Sequence, residues 1–289
     1  MMMDKVILGD NQFFAVNHLS DERSRQQAIR FKENQAIIDV LDIAIDCGVN
    51  TFMCTTHDRI ASICDHVRKN PEKYKDFKFH PCMPYAHKYA NAVTELGIIG
   101  TLKAYIPGNI LSVASKAGIA YMRKDFPSLM ELLVDAEMKM FAGTKTPVIF
   151  LQNVITDMLM GLGMRELLVH FAEYVKKKYN ADAGFITMNM PHLVDLCEEE
   201  GIKNPVICSS INKIGFRMSP SIEKYEEYLR SDKEFRPIAM QCLAAGALGA
   251  QEAMEYVCQF PKIESVLFGA SSRAHIQQNY DLINSLLRP

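Results

Sequence analysis

The 289-residue sequence has no tryptophan, no Cys-x-x-Cys pair and no apolar run of the roughly 18 residues that a bilayer span needs. Its net charge of −2 disfavours nucleic acid or an anionic membrane as a partner. The opening segment MMMDKVILGD lacks the long apolar core and the cleavage site of a signal peptide. We therefore expect a soluble, cytoplasmic protein that acts on a small-molecule substrate, with its oligomeric state left open.

The cysteines do not form a disulfide or zinc framework. There are eight in a long chain, and most lie within apolar segments. Small secreted domains use paired cysteines in place of a large core, whereas a chain of this length with 48% hydrophobic residues can bury a core of its own. We expect reduced and buried thiols.

Short apolar runs alternate with longer amphipathic patterns along the whole chain. Each run is nearly continuous in apolar residues, as expected for strands that are buried on both faces of a parallel sheet. The predicted strands are 5–10, 50–56, 77–83, 147–153, 183–189, 205–210, 236–241 and 265–270. Eight strand–helix alternations without a flexible linker predict an α/β fold, a (β/α)8 TIM barrel formed by residues 1–289 as one domain, with a doubly wound open sheet as the alternative.

The regular spacing is broken once, after the third predicted strand. The stretch 86–146 is too long for one crossover helix and has breaks near 106–109 and 125–128. We therefore predict a helical insertion at about 95–146. Insertions of this kind cap a site or build a subunit contact, and the sequence does not decide between these roles.

The active site of such a barrel forms where the strands end. The residues at these ends are rich in amides, hydroxyls and histidines and poor in carboxylates, which favours binding of a polar, anionic ligand over chemistry with two carboxylates. They are Asp10, Asn11, Gln12, Cys54, Thr55, Thr56, His57, Asp58, His80, Cys82, Tyr85, His87, Gln152, Asn153, Thr187, Asn189, His192, Ser209, Ser210, Asn212, Gln241, Ser271, Ser272 and Arg273.

The clearest ligand signature follows the last predicted strand. The segment FGASS brings Ser271 and Ser272 to the start of a helix, where free backbone N–H groups and the helix dipole attract an anion. Arg273 adds a guanidinium that suits phosphate. The small-residue loop at 243–251 follows the seventh predicted strand, and many barrels hold phosphate between these two positions. We predict an anion site here; the alternative is a serine cap beside a solvated arginine.

Several segments resemble the aldo-keto reductases. RPIAMQCLAAGAL and IESVLFGASSRAHIQQN are similar to the last two strands of that family, AIDCGVNTFMCTT to its second strand and VILGDNQFFAVN to its first. The resemblance runs nearly from end to end, apart from 95–146. It implies the barrel of that family and an NADP(H) cofactor whose 2′-phosphate and adenosine are held by Ser271, Ser272, Arg273 and Asn279. It also implies that Asn189 holds the nicotinamide carboxamide.

The resemblance does not extend to the catalytic tetrad of the family. In that tetrad a tyrosine is the acid, a lysine and an aspartate tune the pKa of the tyrosine, and a histidine orients the substrate carbonyl. Cys54 stands near the aspartate position and His57 near the tyrosine position. The third predicted strand ends without lysine, and the fourth ends in Gln152 and Asn153 in place of histidine. Because a ketone needs a proton donor as hydride arrives, we predict an altered acid set of His57, Tyr85 and Asn153.

The functional hypothesis is an oxidoreductase that binds NADP(H) or another phosphate-bearing ligand and acts on a small polar metabolite. One alternative is a lyase, isomerase or hydrolase, with or without a metal, that holds a substrate phosphate after strands 7 and 8. The other alternative is a non-catalytic binding protein. Candidate metal ligands are His57, His80, Cys82 and His87, since His80 and Cys82 share one strand face. No H-x-H or H-E-x-x-H spacing accompanies them, so we expect no metal.

Overall fold

Eight parallel strands close into a barrel in the computed structural model, which describes residues 3–14, 21–85 and 125–287. Each strand pairs with its neighbours in sequence, and the first pairs with the last. The strands are β1 (Val6–Leu8), β2 (Thr51–Thr55), β3 (Lys78–Met83), β4 (Val148–Leu151), β5 (Asp182–Thr187), β6 (Val206–Ser210), β7 (Arg236–Met240) and β8 (Ser265–Phe268). The predicted TIM barrel is confirmed, and closure of the sheet excludes the open doubly wound alternative.

Helices follow the strands and pack on the outside of the barrel. In the described ranges they are α1 (Asp21–Arg30), α2 (Asn34–Asp46), α3 (Asp58–Lys69), α4 (Phe126–Met138), α5 (Asn153–Gly161), α6 (Arg165–Tyr179), α7 (Met190–Glu199), α8 (Ile222–Arg230), α9 (Ala250–Cys258) and α10 (Arg273–Leu286). Short 3-10 helices span Asn11–Phe13, Lys139–Phe141 and Ala244–Gly246. None of the helices in this part of the chain is long and apolar enough to cross a membrane.

α4 and the 3-10 helix that follows it fall within the predicted insertion range, in the connection between β3 and β4, and the insertion itself stays a prediction. The remainder of the predicted range, 95–124, lies outside the described residues. α4 begins at an N-cap, Asp125, whose carboxylate accepts a hydrogen bond from the backbone N–H of Ser128 at 3.1 Å. The helix carries the buried Glu137, which becomes important at the site.

Both faces of the strands are buried, which explains the nearly continuous apolar runs in the sequence. The outward faces pack against the helices in one large core. The inward faces form a second cluster of Met3, Ile7, Met53, Cys82, Val148, Phe150, Val206, Cys208 and Ile238. Seven of the eight cysteines are buried, and burial raises the pKa of the Cys54 and Cys82 thiols, so both stay protonated at neutral pH.

The amino-terminal end of the barrel is closed by ion pairs. Arg236 at the start of β7 contacts Asp182 at 3.0 Å and Glu264 at 3.5 Å. Lys78 at the start of β3 contacts Asp4 at 2.7 Å. Since this is the end where barrels carry stability, these charges separate a structural end from the opposite, functional one.

Gly184 on β5 provides a test of the interior packing. A Cβ built at this position would lie 2.3 Å from the ring of Phe150 on β4, which is fully buried. Gly184→Ala should lower the free energy of unfolding by about 3 kcal/mol, because a fully buried ring in a close-packed interior must shift to admit the methyl group. Denaturant unfolding measures this change.

Gly161 at the end of α5 is the matched control. A Cβ there would meet nothing within 4 Å. Gly161→Ala should leave the free energy of unfolding within about 1 kcal/mol of the parent or raise it, through lower chain entropy in the unfolded state. Equal effects of the two substitutions would contradict the described contact between β4 and β5.

Candidate functional site

A cavity of about 590 Å³ opens at the carboxyl ends of the strands. Its wall contains residues from the ends of all eight strands or from the loops that follow them, so it lies where barrels of this kind place their active sites. The polar side chains on the wall include Asp10, Asn11, Gln12, Thr55, Tyr85, Gln152, Asn153, Arg217 and Gln241. The apolar wall includes Phe14, Met53, Met188, Phe216, Met240 and Leu267.

Asp10 is a buried carboxyl on this wall. It follows β1 and is 7% exposed. One of its oxygens, Oδ2, accepts two hydrogen bonds from Thr55 at the end of β2, from the backbone N–H and from Oγ1, both at 2.7 Å. Removal from water outweighs these two bonds and raises the pKa of Asp10. Sequence analysis had placed Asp10 at a strand end but not among the catalytic candidates.

Tyr85, a predicted acid, also lies on the wall. Its backbone N–H donates to Glu137 of α4 at 3.2 Å, and the same buried carboxylate accepts a hydrogen bond from Thr56 Oγ1. Burial, and then the negative charge of Asp10, raises the pKa of Tyr85 above its ordinary value. The phenol is therefore protonated but is a weaker acid than a free tyrosine; a neighbouring cation would have the opposite effect.

The other two predicted catalytic residues occupy different environments. Asn153 lies on the cavity wall as the first residue of α5. His57 is not among the described residues that line the cavity; it caps α3, with Nδ1 accepting from the backbone N–H of Arg59 at 3.1 Å. Its ring stacks on Phe14 at 4.4 Å between centroids and lies 5.6 Å from that of Tyr85. His57 thus supports two wall residues, and its role as an acid stays a prediction.

Asn189 also has its side chain in a helix cap. Its Oδ1 accepts from the backbone N–H of His192 at 3.3 Å, at the start of α7. It is not among the described residues that line the cavity. Its predicted contact with a carboxamide stays a prediction, and it would have to use the Nδ2 amide hydrogens while the cap holds.

The turn after β8, residues 269–273, joins the cavity to the start of α10; we call it the β8 turn. Ser272 caps α10, with Oγ accepting from the backbone N–H of His275 at 3.4 Å. Arg30 at the end of α1 donates to Ser271, to Oγ at 2.8 Å and to the carbonyl oxygen at 2.6 Å. No motif in the sequence marks Arg30, because its position depends on how α1 packs.

Arg273 extends from the β8 turn to α2, where it pairs with Asp46 at 2.6 Å. The two side chains are 56% and 54% exposed, and an ion pair this exposed contributes at most about 1 kcal/mol. Exchange of Asp46 for a ligand anion therefore costs little. Asn279, the remaining residue implied for cofactor binding, is on α10 and is 8% exposed.

Gln12 joins β1 to the β8 turn. Its Nε2 donates to the carbonyl oxygens of Gly9 at 2.7 Å and Ala270 at 3.4 Å. Its Oε1 is buried without a partner in the described part of the protein, and a Cβ at Gly269 would stand 2.8 Å from it. Only glycine fits at position 269 while Gln12 holds this arrangement.

The candidate metal ligands are not gathered into one site. His80 is 2% exposed and burial lowers its pKa to about 3, with Asp4, Lys78 and Arg236 of the amino-terminal end as the charges that act on it. Cys82 lies on the cavity wall, and His87 is outside the described residues. Within the described ranges no group of three or more histidine, cysteine or acidic residues could hold a metal ion.

The barrel superposes on solved aldo-keto reductases. A Pseudomonas aeruginosa protein assigned to that family gives a TM-score of 0.60 at 12% identity, over 98% of this chain and 91% of the other. An aldo-keto reductase from Bacillus halodurans in its holo form gives 0.56 at 11% identity, over 99% and 88%. A point mutant of Gox0644 in complex with NADPH gives 0.54 at 11%, over 100% and 89%.

No protein-family model matches the sequence, and no curated protein matches it either. The solved structures therefore show the type of fold: this chain is an aldo-keto reductase-like TIM barrel. Its sequence is far diverged from those of its structural neighbours.

The raised pKa of Asp10 has a consequence for stability. The folded state holds the proton more tightly than the unfolded state, whose pKa is about 3.9. The stability contributed by Asp10 is therefore lost as pH rises from about 4 through the folded pKa. Asp10→Asn, which does not titrate, should gain stability relative to the parent over this range, as measured by urea unfolding at a series of pH values.

Asp157 of α5 should show the same trend. Its carboxylate accepts from Oγ1 of Thr187 and from the backbone N–H of Met188, and burial raises its pKa as well. Asp157→Asn is thus a positive control away from the cavity wall. A stability difference between Asp10→Asn and the parent that does not change with pH would contradict the environment described for Asp10.

Proposed function

We propose that this protein is a cytoplasmic oxidoreductase that binds NADP(H) and acts on a small polar metabolite in the cavity. The β8 turn carries the proposal. It combines two serine hydroxyls, the start of a 14-residue helix and two arginines from different helices, and its first residue, Gly269, lies on the cavity wall.

The donors of the β8 turn fit the phosphate of such a cofactor. The first N–H groups of α10 have no partner within the helix, and the helix dipole favours negative charge there. The Ser271 hydroxyl accepts its bond from Arg30, so its own hydrogen is available to a ligand oxygen. The Arg30 and Arg273 guanidiniums add charge-assisted donors, which suit the 2′-phosphate of NADP(H) better than the free hydroxyl of NAD(H).

The residues on the wall would orient the substrate, and the cofactor would supply or accept the hydride. Tyr85 is a protonated phenol that lies on the wall, and Asn153 offers an amide to a substrate oxygen. His57 contacts Tyr85 from outside the cavity and would position that ring. This altered acid set replaces the tetrad of the aldo-keto reductases.

Titration with NADPH tests the proposal. The melting temperature should rise, since a ligand at 100 times its Kd stabilises the folded state by about 2.7 kcal/mol. Arg273→Ala should weaken NADPH binding about tenfold or more, because a charge-assisted contact is lost. The loss of affinity caused by Arg273→Ala, measured by calorimetry, should be smaller for NADH than for NADPH.

Arg165→Ala is the matched control. Arg165 of α6 pairs with Glu199, and the two side chains are 42% and 59% exposed, similar to those of Arg273 and Asp46. This substitution should not change NADPH affinity. If neither NADPH nor NADH shifts the melting temperature, the proposal fails; if inorganic phosphate alone gives an Arg273-dependent shift, the non-redox alternative with a substrate phosphate gains support.

A further inference from the structure

The charge distribution on the cavity wall is uneven. Asp10 is the buried carboxyl of the described wall. Arg217 brings a guanidinium to the same wall, but this residue is exposed and its guanidinium lies over the Phe216 ring, 5.3 Å from the ring centroid. The other polar side chains there are amides, hydroxyls and a phenol. A ligand that fills this cavity therefore meets one buried negative charge.

Asp10 takes part in none of the ion pairs formed by the described residues. The titratable groups that act on it from β2 and β3 are Cys54, Cys82 and Tyr85, which are all neutral because the pKa of each is raised. A buried carboxylate without a cation is unfavourable, and proteins either neutralise it or pair it.

Thr55 binds one of the two oxygens of the Asp10 carboxyl, and Asp10 lines the cavity. Both bonds from Thr55 go to Oδ2, which fixes the carboxyl plane and leaves Oδ1 as the oxygen that Thr55 does not use. Apolar side chains from the two strands that flank β1, Met53 of β2 and Leu267 of β8, also line the cavity. Low polarity strengthens a single charge–charge contact at this place.

We propose that the cavity binds a ligand with a positively charged nitrogen, an ammonium or an iminium, and that Asp10 is its ion-pair partner. The apolar wall packs against the carbon substituents of that nitrogen. Asp10 is thus the residue that selects an amine over an alcohol or a carbonyl compound of the same shape.

This inference gives the proposed oxidoreductase its substrate class, and it rests on that function only for the chemical step. In iminium reduction a hydride from the reduced cofactor forms one C–H bond, and the C=N π electrons become the nitrogen lone pair. The products are the amine and the oxidised cofactor. No acid is needed at the reacting atoms, since the amine afterwards takes its proton from water; a carbonyl, in contrast, needs a proton donor.

Because an iminium, unlike a carbonyl, needs no proton donor, this substrate class agrees with two features of the site. The tetrad of the aldo-keto reductases is not retained, and the raised pKa of Tyr85 is no obstacle to iminium reduction, in which that residue orients the ligand without giving up a proton. A carboxylate at Asp10 stabilises the iminium before hydride transfer and the ammonium after it.

Binding of small amines to the full-length protein tests the proposal without cofactor. The probes are n-butylamine, cyclohexylamine and piperidine, each compared with the alcohol of matching shape (1-butanol for n-butylamine, cyclohexanol for the two ring amines), by thermal shift and calorimetry at pH 7.5. At least one amine should bind about tenfold or more tightly than its alcohol, and Asp10→Asn should remove this preference.

Asp157→Asn is the matched control, because Asp157 also accepts from a threonine hydroxyl (Thr187) and a backbone N–H (Met188) but is not on the described cavity wall. It should keep the amine preference. If Asp10→Asn does not fold, the parent protein is titrated with amine as pH is lowered; amine affinity should fall as Asp10 takes up its proton, and alcohol affinity should not. Amines that bind no better than alcohols, or equal effects of the two variants, overturn the proposal.

The two proposals fail separately. Asp10-dependent amine binding without any NADPH binding would refute the oxidoreductase and keep the cation site. NADPH binding with an Arg273-dependent affinity, but no preference for amines, would refute the cation site and keep the oxidoreductase.

Discussion

Closure of the sheet between β1 and β8 is the contact on which the site depends. β1 has three residues, and each pairs with one of β8. The seam continues beyond the strands, where the Gly9 N–H donates to Phe268 O at 2.9 Å and the Gln12 amide reaches the carbonyl oxygens of Gly9 and Ala270. The ladder between these two strands is short, so this backbone bond and the two bonds of the Gln12 amide extend the contact between the first and last strand ends.

The seam brings two different charges to one rim. β1 is followed by the carboxyl of Asp10, and β8 is followed by a turn with the basic Arg273 and, through α1, Arg30. The two proposals together place a negative ligand group at the β8 turn and a positive one beside Asp10. At the opposite end of the barrel Arg236 is paired with Asp182 and Glu264, and Lys78 with Asp4.

The sequence predicted the architecture because the pattern of an apolar strand followed by an amphipathic helix is repeated eight times. All eight predicted strands overlap the strands of the structure, since burial on both faces produces apolar runs wherever the barrel needs them. The sequence did not predict which strand-end residues enter the cavity. His57 and Asn189 are polar residues at strand ends, as site residues are, yet each uses its side chain to cap a helix. Arg30 was missed for the converse reason: it is brought to the β8 turn by packing, and packing leaves no local pattern.

The contact between Arg30 and Ser271 links the ligand site to a helix that is additional to the strand–helix repeat. α1 precedes α2 in the connection from β1 to β2, so it is not needed to complete the barrel. An anion at the β8 turn would meet Arg30 only while α1 is docked, and its binding free energy therefore includes the free energy of docking that helix. Substitutions along the outer surface of α1, far from any ligand atom, would then raise or lower the affinity for the anion. Because α1 is not needed to complete the barrel, such changes in affinity would leave the fold intact.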